Sequence, residues 1–498
     1  MVKNIIANYI GRFWSILSNF LFIPLYIHFL GLESYSVISF SLVIAGVMAI
    51  LDAGLTATLS REFALKTNEK NIKLNILSTL ESCYLIIAFI IILILFLFAN
   101  SISHNWLNLD SIDPVKVSYY LKIIGIGIAF QLLANFYMGG LLGLEQQVKA
   151  NLYQIGWGIV KNGLVVIPLI YLPSLELFFI WQSISTIIYV ILLRISLAKA
   201  LNSNISILRV PRFEKVILER IWKFAGGMFL ISIVAGLNSQ MDKLAISKLL
   251  PIDKLGYYTL AVSIAQGLVI LINPISTAIL PRFTFLYSEK NIQEVTKLFH
   301  KVFLPVSILI FSFAANIIFN AKGLLWIWTG NMNLATGAYL FVPFLVIGMS
   351  MLSLQVIPFT IAIANGYTKL NNYLGIISLI ITLPGYWIMT KYFGAIGAAI
   401  TWCFVQLLIT PVFLYFINTL FLKEKSIILI IIKEIVLPAS LAFLISFILS
   451  QIKTFSDNRL TYIIWIGVST LSTLIFCYSI FVKKSDRLNL VSILPFKN

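Results

Sequence analysis

The chain has 498 residues, 60% of them hydrophobic and only 11% charged, with a mean hydropathy of +0.97. That balance excludes a soluble globular domain and puts most of the chain in lipid. The formal net charge of +17 would point to nucleic acid in a soluble protein. Here the positive charge falls mostly in alternate loops, so membrane orientation explains it and no nucleic-acid partner is expected.

Apolar runs of about twenty residues recur from end to end, each long enough for a ~30 Å hydrocarbon core. They are continuous and lack the alternation of barrel strands, so the chain reads as an all-α integral membrane protein. Windows place spans at 8–30, 36–60, 76–100, 117–143, 150–172, 174–197, 222–249, 257–281, 300–320, 337–364, 371–392, 395–421, 428–449 and 460–482, about fourteen helices. The first run is too long for a signal peptide and lacks a small-residue cleavage site, so it is expected to remain as the first span.

In that first span Asn8, Arg12, Ser15 and Asn19 recur at helical spacing and form one polar stripe. The stripe is expected to line a cavity with Arg12 facing an anion, although Arg12 is near enough to the cytoplasm to snorkel into headgroups. Asp52 lies about a turn inside the cytoplasmic end of the second span and is followed by Gly54. It could hold a coupling H⁺ or Na⁺, lock a gate, or merely cap local backbone.

Lys161 lies near the middle of the fifth span, where a lysine costs at least ~2.5–3.5 kcal/mol to insert. Asn151, Gln154, Gly158 and Lys161 share roughly one helical face. Lys161 is expected to be a central cation for a phosphate or acidic sugar, with Gln154 beside it. The competing readings are an ion pair with Asp52 or Asp242, or a neutral amine. Asp242, with Asn238 one turn earlier in the seventh span, is a second coupling or gating candidate. In the eighth span Gln266, Asn273, Pro274 and Thr277 put amides and a broken helix on one side, where freed carbonyls could meet a cation or sugar hydroxyls, the competing reading being a helix kink alone.

The loops set the orientation. One set carries Arg61, Lys66, Lys70 and Lys73, then Lys149, then the basic stretch from Lys199 to Arg220, and later Arg282, Lys290, Lys297, Lys369, Lys423 and Lys425. The alternate set is poor in cations, so both termini are expected in the cytoplasm.

The chain also repeats itself at a shift of about 222 residues. Tyr35-Ser36-Val37-Ile38-Ser39-Phe40-Ser41-Leu42 lies over Tyr257-Tyr258-Thr259-Leu260-Ala261-Val262-Ser263-Ile264, and Leu144–Asn151 lies over Gly366–Tyr373. Arg61 and Arg282 close the two units one residue out of step. This gives a six-helix bundle at 1–200, a cytoplasmic basic linker at 201–221, a second bundle at 222–421, and two additional helices with a tail at 422–498. Two like-oriented bundles related by a pseudo-two-fold axis along the membrane normal suggest a transporter with its site between the halves.

Cys83, Cys403 and Cys477 fall in separate apolar runs and read as packing residues. The three histidines are scattered, so no metal site and no cofactor are expected. No GxxxxGK[ST], HExxH or GxSxG occurs, and no catalytic domain is evident, so an enzyme is disfavoured.

The first hairpin, with Leu30-Gly31-Leu32-Glu33-Ser34-Tyr35 and Leu51-Asp52-Ala53-Gly54-Leu55 through Arg61-Glu62-Phe63-Ala64, resembles the O-antigen flippases of the polysaccharide-transport family. Asn238 through Ile246 followed by Gly256-Tyr257-Tyr258 is similar to that family's seventh and eighth spans, and the likeness covers most of 1–425. Ser36 departs from it, since a glycine commonly follows the tyrosine. The resemblance implies alternating access in the bacterial inner membrane and a cargo of undecaprenyl-diphosphate-linked O-antigen units, moved outward for lipopolysaccharide synthesis. It also implies cooperation with an O-antigen polymerase and a chain-length regulator. A cation-coupled multidrug exporter, or a flippase for another lipid-linked glycan, shares the same architecture. A membrane-embedded polymerase or glycosyltransferase is disfavoured because no long outer loop is present.

Overall fold

The computed structural model describes residues 14, 17–18, 20–52, 54–65, 70–201, 214–367, 369–424, 426–452 and 458–482. No strand occurs among them; an isolated bridge joins Asn108 and Pro251. Twelve described helical stretches are long and apolar enough to cross a membrane. The other two expected spans, the first and the seventh, correspond to the shorter apolar helix α1 (Phe20–Leu30) and to α9 (Lys215–Leu249). The protein is therefore a multi-pass, all-helical membrane protein.

The chain forms two compact units, Met1–Gly256 and Tyr257–Asn498. In the first, α2 (Leu32–Met48) runs into a 3₁₀ turn (Ala49–Asp52) and restarts as α3 (Leu55–Ala64). Gly54 sits at φ 72° between them, a left-handed conformation that glycine adopts without penalty. Then follow α4 (Lys70–Ser101), α5 (Pro114–Gly143), α6 (Gln147–Gly158), α7 (Val166–Tyr171), α8 (Leu175–Ala200) and α9. Helix α5 starts where the Asp113 carboxylate accepts from Val115 N at 2.9 Å with Pro114 in the first turn. It forms the centre of the unit, packed by α8, α4 and α3. Close packing there depends on small residues: Gly139 faces Thr56, and Gly143 faces the Ser60 backbone.

One loop ties this unit together at a single end. The Glu33 carboxylate accepts from the backbone N–H groups of Asp110 (2.9 Å), Ser111 (3.0 Å) and Ile112 (3.2 Å). Asn108 O accepts from Ile252 N at 3.0 Å, and Trp106 Nε1 donates to Ser247 Oγ at 3.1 Å.

The second unit holds most of α10 (Ile252–Ser288), then α11 (Ile292–Phe319), α12 (Ala321–Thr329), α13 (Met332–Ala338), α14 (Val342–Ala364), α15 (Lys369–Phe393) and α16 (Ala395–Ile417). It ends with α17 (Ile427–Ile431), α18 (Leu437–Ile452) and α19 (Arg459–Phe481). Its core gathers Phe299, Phe303, Phe311, Leu354, Ile361 and Phe413.

Helix α11 carries a buried polar knot. Asn316 Nδ2 donates to Ser446 Oγ (2.9 Å) and Thr473 Oγ1 (3.3 Å), while its Oδ1 accepts from Ser469 Oγ (2.6 Å). The helices at the end of the chain, α18 and α19, are thereby fastened to α11 rather than appended to it.

The helix breaks of the first unit are not repeated in the second, where α10 and α15 run as continuous helices through their prolines, α10 without the break expected at Pro274. At the repeat's shift of about 222 residues, Asp52 in the 3₁₀ turn falls on Pro274 inside α10. Asn162, in a π-helical turn after α6, falls on Pro384 inside α15.

Candidate functional site

Lys161 lies in a π-helical turn, Ile159–Leu164, that joins α6 to α7. A π turn widens the helix by one residue and shifts its hydrogen bonding, and such turns are frequent at functional sites. Side chains from neighbouring helices take up the local carbonyls. Trp181 Nε1 donates to Val160 O at 2.9 Å, Gln182 Nε2 to Lys161 O at 3.0 Å, and the Tyr26 hydroxyl to Asn162 O at 2.7 Å. The turn that presents Lys161 is therefore held by three side chains from two helices, α8 and α1.

The ammonium itself is lightly held. Lys161 Nζ donates to Gln131 Oε1 at 3.4 Å and lies 4.5 Å from the centre of the Trp157 ring. Trp157 also stacks on Tyr189, with centroids 4.6 Å apart and planes 7° apart. Among the described residues no carboxylate comes within ion-pair distance of Lys161.

The two acids that could have paired with it are engaged elsewhere. Asp52 Oδ1 accepts from Thr56 Oγ1 at 2.5 Å and from the Tyr84 hydroxyl, and those hydroxyls are themselves 2.6 Å apart. Asp242 Oδ1 lies 3.3 Å from Lys243 Nζ, which also donates to Ser239 O at 2.7 Å. Asn238 Nδ2 turns back to Val234 O at 2.9 Å on the same helix.

Gln154 is half-buried on α6, and Asn151 Nδ2 donates to Gln147 O at 2.7 Å. Asn8, Arg12, Ser15 and Asn19 lie outside the described residues. The described part of the first span does reach the Lys161 turn: Trp14 faces Gly158, Phe22 faces Gly163, and Ser18 Oγ accepts from Asn162 Nδ2 at 3.4 Å. Asn273 belongs to the second unit, exposed on α10, where its carbonyl accepts from Thr277 Oγ1 at 3.0 Å.

Sequence reasoning missed three arrangements. Glu81 is buried and takes Arg194 Nε at 2.7 Å together with the Tyr137 hydroxyl. His300 meets Glu434 with one ring nitrogen and Glu424 with the other, at 3.4 Å for Glu424. The third is Trp157 under Lys161, which its spacing of one turn could have revealed. Among the described residues no group of three His, Cys, Asp or Glu could hold a metal ion.

A Shigella flexneri protein named provisionally as an O-antigen transporter is 23% identical over 378 residues, covering 75% of this chain and 87% of that one. Among solved structures, the lipid II flippase MurJ in an inward closed conformation matches with a TM-score of 0.73 at 15% identity, over 97% of this chain and 99% of that one. An inward-facing multidrug resistance transporter of the MATE family matches with a TM-score of 0.65 at 16% identity, over 83% and 96%. These structures share the fold, and the relatives are transporters and flippases rather than enzymes. The family model described as polysaccharide biosynthesis protein matches residues 1–287, more than half of the chain, and the protein belongs to that family of membrane transporters.

Proposed function

We propose that this protein flips undecaprenyl-diphosphate-linked oligosaccharide, an O-antigen repeat unit, from the cytoplasmic to the outer leaflet of the bacterial inner membrane, with both termini in the cytoplasm. The observation that carries the proposal is Lys161: a cation inside a membrane span, presented by a clamped π turn, with no carboxylate beside it among the described residues. Holding such a charge in lipid is unfavourable unless an anion visits it. A diphosphate is that anion, and its own burial would cost several kcal/mol per charge if unpaired. An inside-negative potential favours outward movement of each negative charge by ~2.3 kcal/mol per 100 mV.

Asp52 and Asp242 are the candidates for coupling transport to H⁺ or Na⁺, and an O-antigen polymerase and chain-length regulator are the expected downstream partners. The test is transport of lipid-linked oligosaccharide by purified protein in liposomes. Lys161→Gln should lower the rate at least tenfold, and Lys161→Arg should retain part of it. Undiminished transport by the glutamine variant would remove the proposal's basis. A cationic drug as cargo would instead be repelled by Lys161, so its transport should rise in Lys161→Gln.

A further inference from the structure

Two indole N–H groups near Lys161 have no acceptor among the described residues. Trp157 Nε1 and Trp14 Nε1 are both shielded from solvent, and neither meets an acceptor among the described residues. Their positions have a sequence cause. Trp157 sits one turn before Lys161, and the next residue, Gly158, has no side chain. A Cβ there would stand 3.1 Å from Trp14 Nε1, so glycine is what lets the second indole come so close.

Tyr189 stacks on the Trp157 ring and the Lys161 ammonium lies over it, so the ring is already engaged through its π faces. The ring edge bears the N–H, which has no acceptor among the described residues. Trp157 is thus poorly placed to stack on a sugar and well placed to donate a hydrogen bond. The turn between α6 and α7 therefore brings together an ammonium held by one long amide contact and two indole donors without acceptors among the described residues. An ionised phosphate complements this set, since its oxygens accept several hydrogen bonds and offer none. A neutral hydroxyl would serve the indoles but leave the ammonium without a counter-charge. Admitting the anion requires side chains to shift, and Lys161 is the most loosely held of them.

We infer that Trp14 and Trp157 are ligands of the cargo's anionic head, donating their indole N–H groups to phosphate oxygens while Lys161 supplies the charge. The inference rests on the reading that the cargo is a phosphorylated lipid. It is tested on full-length protein carrying nitrogen-labelled tryptophan in nanodiscs, titrated with geranyl diphosphate and, as control, geraniol. The chain has 10 tryptophans, so the indole N–H resonances can be assigned with Trp14→Phe and Trp157→Phe. Both resonances should move downfield with geranyl diphosphate and stay in place with geraniol. Each phenylalanine variant keeps an aromatic ring and should bind the diphosphate about tenfold more weakly. If geranyl diphosphate binds while these two resonances stay in place, the inference falls and the flippase reading stands. If no resonance moves and no binding is seen, both fall.

Discussion

Arg194 Nε donates to Glu81 Oε1 at 2.7 Å, joining α8 to α4 within the first unit. The Tyr137 hydroxyl from α5 reaches the same oxygen, so three helices meet at one carboxylate. Removing one partner strands the other charge away from water, which costs about 3–5 kcal/mol in buried pairs. Glu81→Ala and Arg194→Met should each lower the thermal midpoint sharply. The double variant Glu81→Met/Arg194→Met should recover part of the loss. A double variant no better than the singles would show that the pair contributes through packing rather than charge.

Gly143 and Gly156 offer a matched comparison. Gly143 faces the Ser60 backbone across α5 and α3, where a methyl group has no room and the backbone cannot swing aside. Gly143→Ala should cost about 1–3 kcal/mol. Gly156 has nothing within 4 Å of an added Cβ. Gly156→Ala should be neutral or stabilising by up to about 1 kcal/mol. Thermal unfolding of both proteins in the same detergent decides it, and equal effects would contradict the packing described for α3 against α5.

Glu33 holds the 110–112 loop through three backbone N–H groups and the Ser111 hydroxyl. Glu33→Ala frees all of those donors to water. Hydrogen exchange over residues 109–113 should accelerate at least tenfold, with the centre of α5 unchanged. Unaltered protection would mean that the loop is held by Asn108 and Trp106 instead.

Asn316→Val should loosen the end of the chain. It removes one amide and leaves the hydroxyls of Ser446, Ser469 and Thr473 to re-pair among themselves. Individual hydrogen bonds of this kind are worth about 0.6 kcal/mol and at most about 1.7. The expected result is a lower unfolding temperature with faster hydrogen exchange across α18 and α19. Ser446→Ala, which removes one partner, should have a smaller effect than Asn316→Val.

The helices were legible in the sequence because lipid demands long apolar runs, and such a run reads the same in any tertiary context. Lys161 was legible for the complementary reason: a charge in such a run is conspicuous. Its surroundings were less so. A tryptophan among apolar residues attracts no notice, although Trp157 precedes Lys161 by one turn. The π turns at 102–106, 159–164, 418–422 and 432–436 leave no mark in hydropathy, because one extra residue per turn does not change composition. Arg194 and Glu81 sit 113 positions apart, and only the packing of α4, α5 and α8 brings them together. The 3₁₀ break was not legible: Asp52 and Gly54 stood inside a single expected span at 36–60, and the Tyr84 and Thr56 hydroxyls around the carboxylate did not show.

The Asn316 knot also says something about how this protein is made. Ser446 is synthesised 130 residues after Asn316, and Thr473 follows it by 157. At about 5–20 residues per second, the amide waits in the bilayer for roughly 7–30 s before its partners leave the ribosome. During that interval α11 has a polar side chain and no finished bundle to hide it, so the insertion machinery is its natural temporary companion. Nascent chains stalled short of residue 446 should therefore crosslink from position 316 to that machinery, and finished chains should not.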